Sequence, residues 1–330
     1  MKSSLKVLIA LSIVLVSVPV FASNFRAADV VYLPAAGRLQ GQAFFKTDIV
    51  ITNVSNSAVT VDAALLEGAG DARAGLEPGA VERVGTLNAG ESLFIEDAID
   101  AIFGRNGFGQ MILYSCRVGG DCTACDSDDT DCLPIVVEGR VYAESTDPDI
   151  CGEAAACTFG QLFSGLPWYS YVSSAVADRS LDRVWITGIK QSAQYRSNLG
   201  FTNASEFSTT TLNVSLFRAD GTQFGATQQV TLGPVGHTQR NVGQLFSGFT
   251  GDGYVIVQQP ALGVVPTQPD DEDPFIASGA PGFFAYGSVL DNATDDPTTL
   301  EAVYPVEFDY TEVYGKVNQT GRAVRHPAGD

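Results

Sequence analysis

The chain of 330 residues carries 38 acidic and 19 basic residues, which gives a formal net charge of -19 at pH 7. A surplus of acids this large excludes functions based on binding nucleic acid or anionic membrane surfaces, because both need clustered lysine and arginine. It fits a soluble acidic protein and leaves divalent cations open as ligands. The length suits two domains of ordinary size, each with its own core.

Residues 1–22 predict an export signal. Lys2 and Lys6 form the positively charged start, Val7 to Phe21 is an almost unbroken apolar run, and Ala22 offers a small residue at the cleavage site. About 15 apolar residues are short for a membrane span of roughly 20, so cleavage is expected rather than anchoring. The sequence therefore predicts a secreted protein, extracellular or on the cell surface, with the periplasm as the alternative and no membrane insertion after cleavage.

A motif that occurs twice predicts two copies of one domain. Residues 46–55 read KTDIVITNVS and residues 196–205 read RSNLGFTNAS. Each is followed by a further apolar segment, 59–66 and 210–217, so the two offsets agree (196 − 46 = 150; 210 − 59 = 151). Self-similarity at a fixed offset of this length indicates tandem domains.

The predicted fold class is all-β, with two tandem β-sandwich domains, Ig-like or jelly-roll-like, and at most short helices. Short apolar segments bounded by Gly and Pro turns favour sandwiches over α/β units. Residues 92–104, SLFIEDAIDAIFG, are the best helix candidate, with Gly104 as its end. Residues 30–37 are predicted to form a short strand stopped by Pro34 and Gly37.

These patterns divide the chain into four parts: a signal peptide at 1–22, a first repeat at 23–157, a linker plus second repeat at 158–304, and a C-terminal strand and flexible tail at 305–330. Residues 109–116 and 134–146 are predicted to form a long hairpin. Its tip is a cysteine-rich acidic insertion at 116–132. The alternating residues 306–314 predict a strand that folds back on the second repeat or adds to the sheet of another molecule.

The cysteines all lie in the first repeat. They are Cys116, Cys122, Cys125, Cys132, Cys151 and Cys157. An even number in an exported chain predicts disulfides. Cys151 and Cys157 are set apart from the other four and are expected to pair, whereas the other four allow three connectivities. Zinc is the alternative, because Cys122 and Cys125 have ligand spacing, but a second CxxC is missing.

Two acidic loops are candidate calcium sites. Their residues are Asp126, Asp128, Asp129 and Asp131 in the first repeat and Asp270, Asp271, Glu272 and Asp273 in the second. Oxygen-rich loops in extracellular modules bind Ca²⁺ weakly, at millimolar concentrations. The spacing does not meet the EF-hand pattern, so solvated charge is the competing interpretation. No other cofactor is expected.

Four aromatic residues are candidates for stacking against a sugar: Trp168, Tyr169, Trp185 and Tyr195. For the first two, which lie in the linking stretch, packing between the domains is the competing interpretation.

The sequence predicts no enzyme. Histidine is almost absent, with His237 in the turn GPVGHT, where exposure is expected, and His326 in the tail. No G-x-S-x-G nucleophile motif accompanies them. The repeated polar residues are expected to be structural: Lys46 and Arg196, with Asp48 and Asn198, pair across strands or tie a strand to a loop, and Asn53 and Asn203 shape turns.

The strings YRSNLGFTNAS, VTLGPVGHTQRNVGQLF and AYGSVLDNATDDPT resemble a module common in exported proteins of environmental bacteria. In the first copy, VEGRVYAEST followed by TFGQLF resembles the segment by which such modules join in tandem. The resemblance spans most of residues 30–303, and the insertion at 116–132 departs from it. It implies an exported β-sandwich, usually in tandem, and implies no catalytic residues.

The sequence therefore predicts a non-enzymatic exported protein with a structural, adhesive or surface-interaction function. A carbohydrate-binding module is the alternative, and a secreted hydrolase is a third, weaker one. The partner is left open between a glycan and another surface protein.

Overall fold

The computed structural model describes residues 27–41, 43–122, 131–151, 154–174, 182–260, 282–294 and 296–303, without the side chains of residues 149, 150 and 169. The predicted signal peptide, the acidic loop at 270–273, residues 123–130 of the cysteine-rich insertion and the predicted strand at 306–314 lie outside the described residues.

Short strands make up most of the described chain, as the all-β prediction requires. The first copy consists of β1 (Val30–Gln40), β2 (Phe44–Asn53), β3 (Val59–Glu67), β4 (Glu82–Leu87), β5 (Ser92–Ile95), helix α1 (Ala98–Phe103), β6 (Gly107–Arg117), β7 (Ile135–Ser145), helix α2 (Pro148–Cys151), β8 (Cys157–Ser164) and β9 (Leu166–Pro167). Two 3₁₀ turns, Arg73–Leu76 and Trp168–Ser170, complete it.

The second copy has the same element order, without counterparts of α2 and β9 among the described residues. It consists of β10 (Arg183–Gln191), β11 (Tyr195–Asn203), β12 (Thr210–Arg218), β13 (Gln223–Leu232), β14 (His237–Asn241), helix α3 (Val242–Leu245), β15 (Gly251–Gln258), β16 (Phe283–Asp291) and β17 (Pro297–Val303).

Each copy is a sandwich of two antiparallel layers. In the first copy, layer A has the order β5-β2-β7-β8 and layer B the order β4-β3-β6-β1, with β1 also pairing β2 and β9. In the second copy, layer C has the order β14-β11-β16-β17 and layer D the order β13-β12-β15-β10, where the end of β17 pairs β10. Within the layers the same strand pairings thus occur in both copies, whereas the link between the layers differs: β1 pairs β2 in the first copy and β17 pairs β10 in the second.

The strand register shows that the two copies are similar in structure as well as in sequence. Thr47 pairs with Val141 across β2 and β7, and Ser197 pairs with Val289 across β11 and β16. The cores also correspond, because glycines on β7 and β16 make room for large residues of the first strand. A Cβ on Gly139 would lie 2.5 Å from the Leu33 side chain, and one on Gly287 would lie 2.8 Å from Ile186.

Several sequence expectations need correction. The predicted hairpin at 109–146 is wrong: β6 pairs with β1 and β3 in layer B, whereas β7 pairs with β2 and β8 in layer A. The connection containing the cysteine-rich insertion therefore crosses from one layer to the other. Strands adjacent in sequence often pair, but the apolar pattern of a strand does not specify which sheet it joins.

The boundary between the copies also differs from the prediction. Residues 158–164 were assigned to the linker, yet β8 pairs with β7 over its whole length and β9 pairs with β1. The predicted helix at 92–104 begins as strand β5, and its helical part is confined to Ala98–Phe103 before Gly104, which has a positive φ of 63°. β1 continues through Pro34 and Gly37, with a register shift between Leu33 and Ala36.

The core of the first sandwich extends into the second copy. Ala204, Val235, Phe284 and Tyr286 of the second copy belong to the same buried cluster as the layers of the first. A second cluster fills the space between layers C and D. Layer B is accordingly buried on both faces, as the unbroken burial of β3 and of most of β1 shows.

Candidate ligand-binding face

In each copy, a repeated hydroxyl residue on the second strand hydrogen-bonds to the main chain of the first strand. Thr47 Oγ1 accepts a hydrogen bond from Gly37 N (2.7 Å) and donates one to Gly37 O (2.9 Å). Ser197 Oγ accepts one from Lys190 N (2.9 Å) and donates one to Lys190 O (2.7 Å). Both hydroxyls satisfy main-chain groups just after a register shift in the strand.

The repeated asparagines shape turns, as predicted. Asn53 Nδ2 donates to the carbonyls of Ser57 and Asn88, and its Oδ1 accepts from Ser55 N. In the second copy, Asn203 Nδ2 donates to the carbonyls of Ser208 and Gly233, and its Oδ1 accepts from Ser205 N. Both side chains are fully buried, so these bonds replace water that the amides have lost.

The other repeated polar residues also have structural partners. Asp48 Oδ1 accepts a hydrogen bond from Asp97 N (2.9 Å), next to the start of α1. Asn198 Oδ1 accepts one from Asn241 Nδ2 (3.1 Å), next to the start of α3. Lys46 pairs with Glu144 (3.3 Å) across β2 and β7, and Arg196 donates to the side chain of Asn292. The residues that the copies share are thus engaged in the fold, so features specific to one copy are those in which the copies differ.

His237 is buried, and the expectation of an exposed turn residue is wrong. Its Nε2 lies 3.2 Å from the Tyr286 hydroxyl, and its ring packs edge-on against Phe108 of the first copy. Burial lowers the pKa of His237 from 6.5 to about 4 and raises that of Tyr286. The imidazole is therefore neutral at pH 7, and it is enclosed between the copies instead of facing a cleft.

A loop of the first copy joins the two copies through main-chain hydrogen bonds. His237 N donates to Gly68 O (2.7 Å), Gly233 N to Ala69 O (2.8 Å) and Ala72 N to Pro234 O (3.0 Å). This docking loop, residues 68–72, lies in the long connection between β3 and β4. The equivalent connection between β12 and β13 in the second copy is a short turn at 219–222.

Layer C covers the outer face of layer B. The central row of that face is Tyr32, Ile112 and Ala64, which pair across β1, β6 and β3 and are 2%, 0% and 0% exposed. The Tyr32 hydroxyl donates to Ala204 O (3.3 Å), and its ring lies 5.2 Å from that of Phe284. In the first copy, this face serves as the contact between the sandwiches.

In the part of the chain that the structure describes, no other layer covers the equivalent face of the second copy, the outer face of layer D. Its three rows, read from β10 through β15 to β12, are Arg183–Gln258–Asn213, Trp185–Ile256–Ser215 and Thr187–Tyr254–Phe217. All nine side chains are partly or fully exposed, whereas their neighbours along each strand point inward and are mostly buried. Trp185 takes the place of Tyr32: each pairs with an isoleucine on one side and with the last strand of its copy on the other.

Aromatic and neutral polar groups dominate this face. The Phe217 and Tyr254 rings stack in parallel, with centroids 5.1 Å apart and planes 6° from each other. Val303, which pairs with Trp185, is 47% exposed and extends the apolar strip to the edge of the layer. Next to the rows, Ser215 Oγ lies 2.8 Å from Thr227 Oγ1.

The one charged side chain among these nine positions is neutralised locally. Arg183 Nε lies 2.7 Å from Asp182 Oδ1, and Gln258 Nε2 donates to Asp182 Oδ2. Burial by itself would raise the pKa of Asp182, but the hydrogen bonds from Arg183 and Gln258 outweigh it and lower the pKa below 3.8. Asp182 is therefore ionised at pH 7 and offsets the charge of Arg183.

The predicted sugar-stacking residues do not form one site. Trp168 is 0% exposed and donates from Nε1 to Asp29 Oδ1 (3.1 Å), so it is a core residue and that prediction is wrong. The side chain of Tyr169 lies outside the described residues. Tyr195 is partly buried at the start of β11, with the Lys190 ammonium 5.1 Å from its ring centre. Only Trp185 lies on the exposed face of layer D.

The partners of Trp185 on that face, namely Tyr254, Ile256 and Phe217, were not predicted from the sequence. The signal was present, because β12 and β15 alternate strictly over part of their length, and alternation places every second residue on one face. Alternation does not show which of two faces stays exposed.

The cysteines form disulfides. Cys151 pairs with Cys157 as predicted, and Cys116 pairs with Cys122, which selects among the open connectivities. Cys132 is also disulfide-bonded, whereas Cys125 lies outside the described residues. Such bonds fit an oxidising compartment.

The calcium hypothesis stays a prediction. Asp126, Asp128 and Asp129 and the second acidic loop lie outside the described residues, whereas Asp131 pairs with Arg117 at 2.8 Å. Within the described ranges, no group of three or more His, Cys, Asp or Glu side chains could hold a metal ion. Over the same ranges, no helix is both long and apolar enough to cross a membrane.

Comparisons with known proteins give little further guidance. No protein-family model and no curated protein matches the chain. Among solved structures, the apo form of Pleurotus ostreatus lectin has a TM-score of 0.18 and 9% identity, over 94% of this chain and 84% of that chain. The Pleurotus ostreatus lectin in complex with GalNAc has a TM-score of 0.16 and 9% identity, over 93% and 88%. Likeness at this level carries no argument about fold or ligand.

Proposed function

We propose that this chain is an exported, non-enzymatic surface-interaction protein, in which the first sandwich supports the second and the outer face of layer D binds the partner. The observation that carries the proposal is the difference between equivalent rows. Tyr32, Ile112 and Ala64 are buried by the second copy, whereas Trp185, Ile256 and Ser215 remain partly accessible. Large aromatic and aliphatic side chains exposed together on one face are typical of binding surfaces.

Two further observations support this choice of face. The second copy lacks the long docking loop by which the first copy holds its neighbour, so layer D has no equivalent device for adding a third sandwich. The outer face of layer A is more charged, with Lys46, Glu138, Arg140 and Glu144 among its outward residues. His237, the one histidine among the described residues, is buried and is therefore not accessible as a catalytic base.

The test is binding of the labelled mature protein to the cell surface and extracellular matrix of the organism that encodes it. Trp185→Ala and Thr187→Arg should each reduce the bound fraction at least about tenfold, since truncating a central aromatic anchor commonly costs more than 1.4 kcal/mol of binding free energy. Thr187 is exposed, so an arginine there blocks the face without removing packed atoms.

The matched control is Phe94→Ala. Phe94 is 57% exposed on the outer face of layer A, away from the proposed site, and its removal should leave binding unchanged. Equal binding by the wild type and both layer D variants, or loss only in Phe94→Ala, would refute the proposed face. No binding by the wild-type protein would refute the function itself.

A further inference from the structure

The outer face of layer D has a chemical composition that restricts its ligand. Its three rows contain three aromatic side chains, two amides, one isoleucine and two aliphatic hydroxyls, with one guanidinium already paired to Asp182. In a chain whose formal net charge is -19, a face with so little charge of its own is unusual. An anionic ligand would meet repulsion from the rest of the protein, and a cationic one would find no unpaired carboxylate within the rows.

The shape of the face favours an extended ligand. Four neighbouring antiparallel strands, β10, β15, β12 and β13, form it, and a strand spacing of about 4.8 Å makes it about 14 Å wide. Hydrogen-bonded hydroxyl pairs, Thr211 with Thr231 and Ser215 with Thr227, lie exposed along its β13 side. Val303, Trp185 and Ile256 lie at the opposite end of the central row, so that row is apolar at one end and polar at the other.

From this arrangement we infer that the ligand of the layer D face is a neutral polysaccharide, an inference that rests on the proposed function. Sugar rings present an apolar C–H face and a rim of hydroxyls, and aromatic side chains with one apolar and one polar part suit such amphipathic partners. Trp185 stacks against a ring, with Ile256 and Val303 beside it. The Tyr254 hydroxyl and the amides of Asn213 and Gln258 bond the sugar hydroxyls.

The amides are held in place for this role. Gln258 donates to Asp182, which fixes its side chain and leaves its carbonyl oxygen available to accept from a sugar hydroxyl. Asn213 Oδ1 accepts from Gln229 Nε2 (3.3 Å), which leaves the Asn213 amide hydrogens to donate. Preorganised polar groups lose less conformational entropy on binding than free ones.

The experiment is affinity electrophoresis of the mature protein in gels containing soluble neutral polysaccharides, namely xyloglucan, galactomannan, xylan and dextran, or the acidic polymers alginate and polygalacturonate. At least one neutral polymer should retard the wild type. Trp185→Ala should weaken that retardation at least tenfold, and Thr187→Arg should do the same. Tyr195→Ala, which removes a partly buried aromatic of layer C, should leave it unchanged. Far-UV circular dichroism checks that each variant is folded.

The inference is overturned if no neutral polymer in the panel retards the protein, if only the acidic polymers do, or if folded Trp185→Ala and Thr187→Arg behave as the wild type. Failure of the polysaccharide inference is distinguishable from failure of the proposed function. Trp185-dependent binding to cells without retardation by any neutral polysaccharide would keep the binding face and assign it to a protein or an acidic partner. If Trp185→Ala binds cells as strongly as the wild type, both the proposed binding face and the polysaccharide inference are refuted.

Discussion

At the scale of single residues, buried polar groups explain the repeated motif. Thr47 and Ser197 each satisfy both main-chain groups of one residue in the neighbouring strand, and Asn53 and Asn203 each close a turn. A buried polar group without a hydrogen-bond partner costs free energy, so each of these side chains requires the main-chain conformation that supplies its partners. The same two roles in both copies account for a sequence pattern that on its own resembles a site.

His237 gives the protein a defined pH dependence. The unfolded chain takes up a proton near pH 6.5, whereas the folded protein does so only near pH 4 because the imidazole is buried. Between these values the unfolded state binds more protons, so the free energy of unfolding decreases as the pH falls from 6.5 to 4. We expect the loss to reach at most about 3 kcal/mol.

Urea denaturation of the wild type and His237→Gln at pH 7, 5.5 and 4.5 measures this effect. The wild type should lose more stability than the variant over this interval, because carboxylates titrate in both proteins and only the wild type carries the buried imidazole. Identical pH profiles for the two proteins would show that His237 is not enclosed as described.

At the scale of elements, the connection between β3 and β4 distinguishes the copies. Its main chain lies so close to the turn at 233–236 that a Cβ on Gly233 would be 2.5 Å from Gly70 C. Gly70 faces the same contact, yet a Cβ there would meet no atom within 4 Å. A methyl group would therefore clash with the main chain at Gly233 but not at Gly70, although the two glycines lie in the same interface.

This difference yields a matched pair of variants. Gly233→Ala should lower the free energy of unfolding by about 1–3 kcal/mol, the usual cost of forcing an extra carbon into a packed site. Gly70→Ala should change it by less than about 0.5 kcal/mol. Thermal denaturation of the two variants beside the wild type provides the measurement, and equal effects would contradict the close approach of the two main chains.

At the scale of the whole molecule, the shared core makes one cooperative unit of the two sandwiches. Residues of the second copy complete the buried cluster of the first, and Gln110 of the first copy donates to the carbonyls of Asn203 and Val235. Separating the copies would expose this apolar cluster to water and break these hydrogen bonds. The sandwiches should therefore unfold together, although each has layers of its own.

Differential scanning calorimetry tests this expectation. We expect a single transition whose calorimetric enthalpy equals its van't Hoff enthalpy, the signature of two-state unfolding. Gly233→Ala, which perturbs the contact between the copies, should shift or broaden the transition more than Gly70→Ala. Two separate transitions in the wild type would show that the sandwiches are independent.

The sequence by itself determined the all-β class, the two copies, the turn asparagines and the Cys151–Cys157 pair. These features depend on local signals, such as alternation, turn residues and short spacings, that a single segment carries. Tertiary structure alone decided that β6 and β7 join different layers, that Trp168 and His237 are buried, and that Trp185 is accessible. Burial of a face depends on what packs against it, and layer C covers layer B through residues more than 90 positions away in the chain, such as Asn203 beside Gln110. An alternating strand pattern is the same whether its second face meets another sheet or water, so the difference between Tyr32 and Trp185 arises only when the two copies pack together.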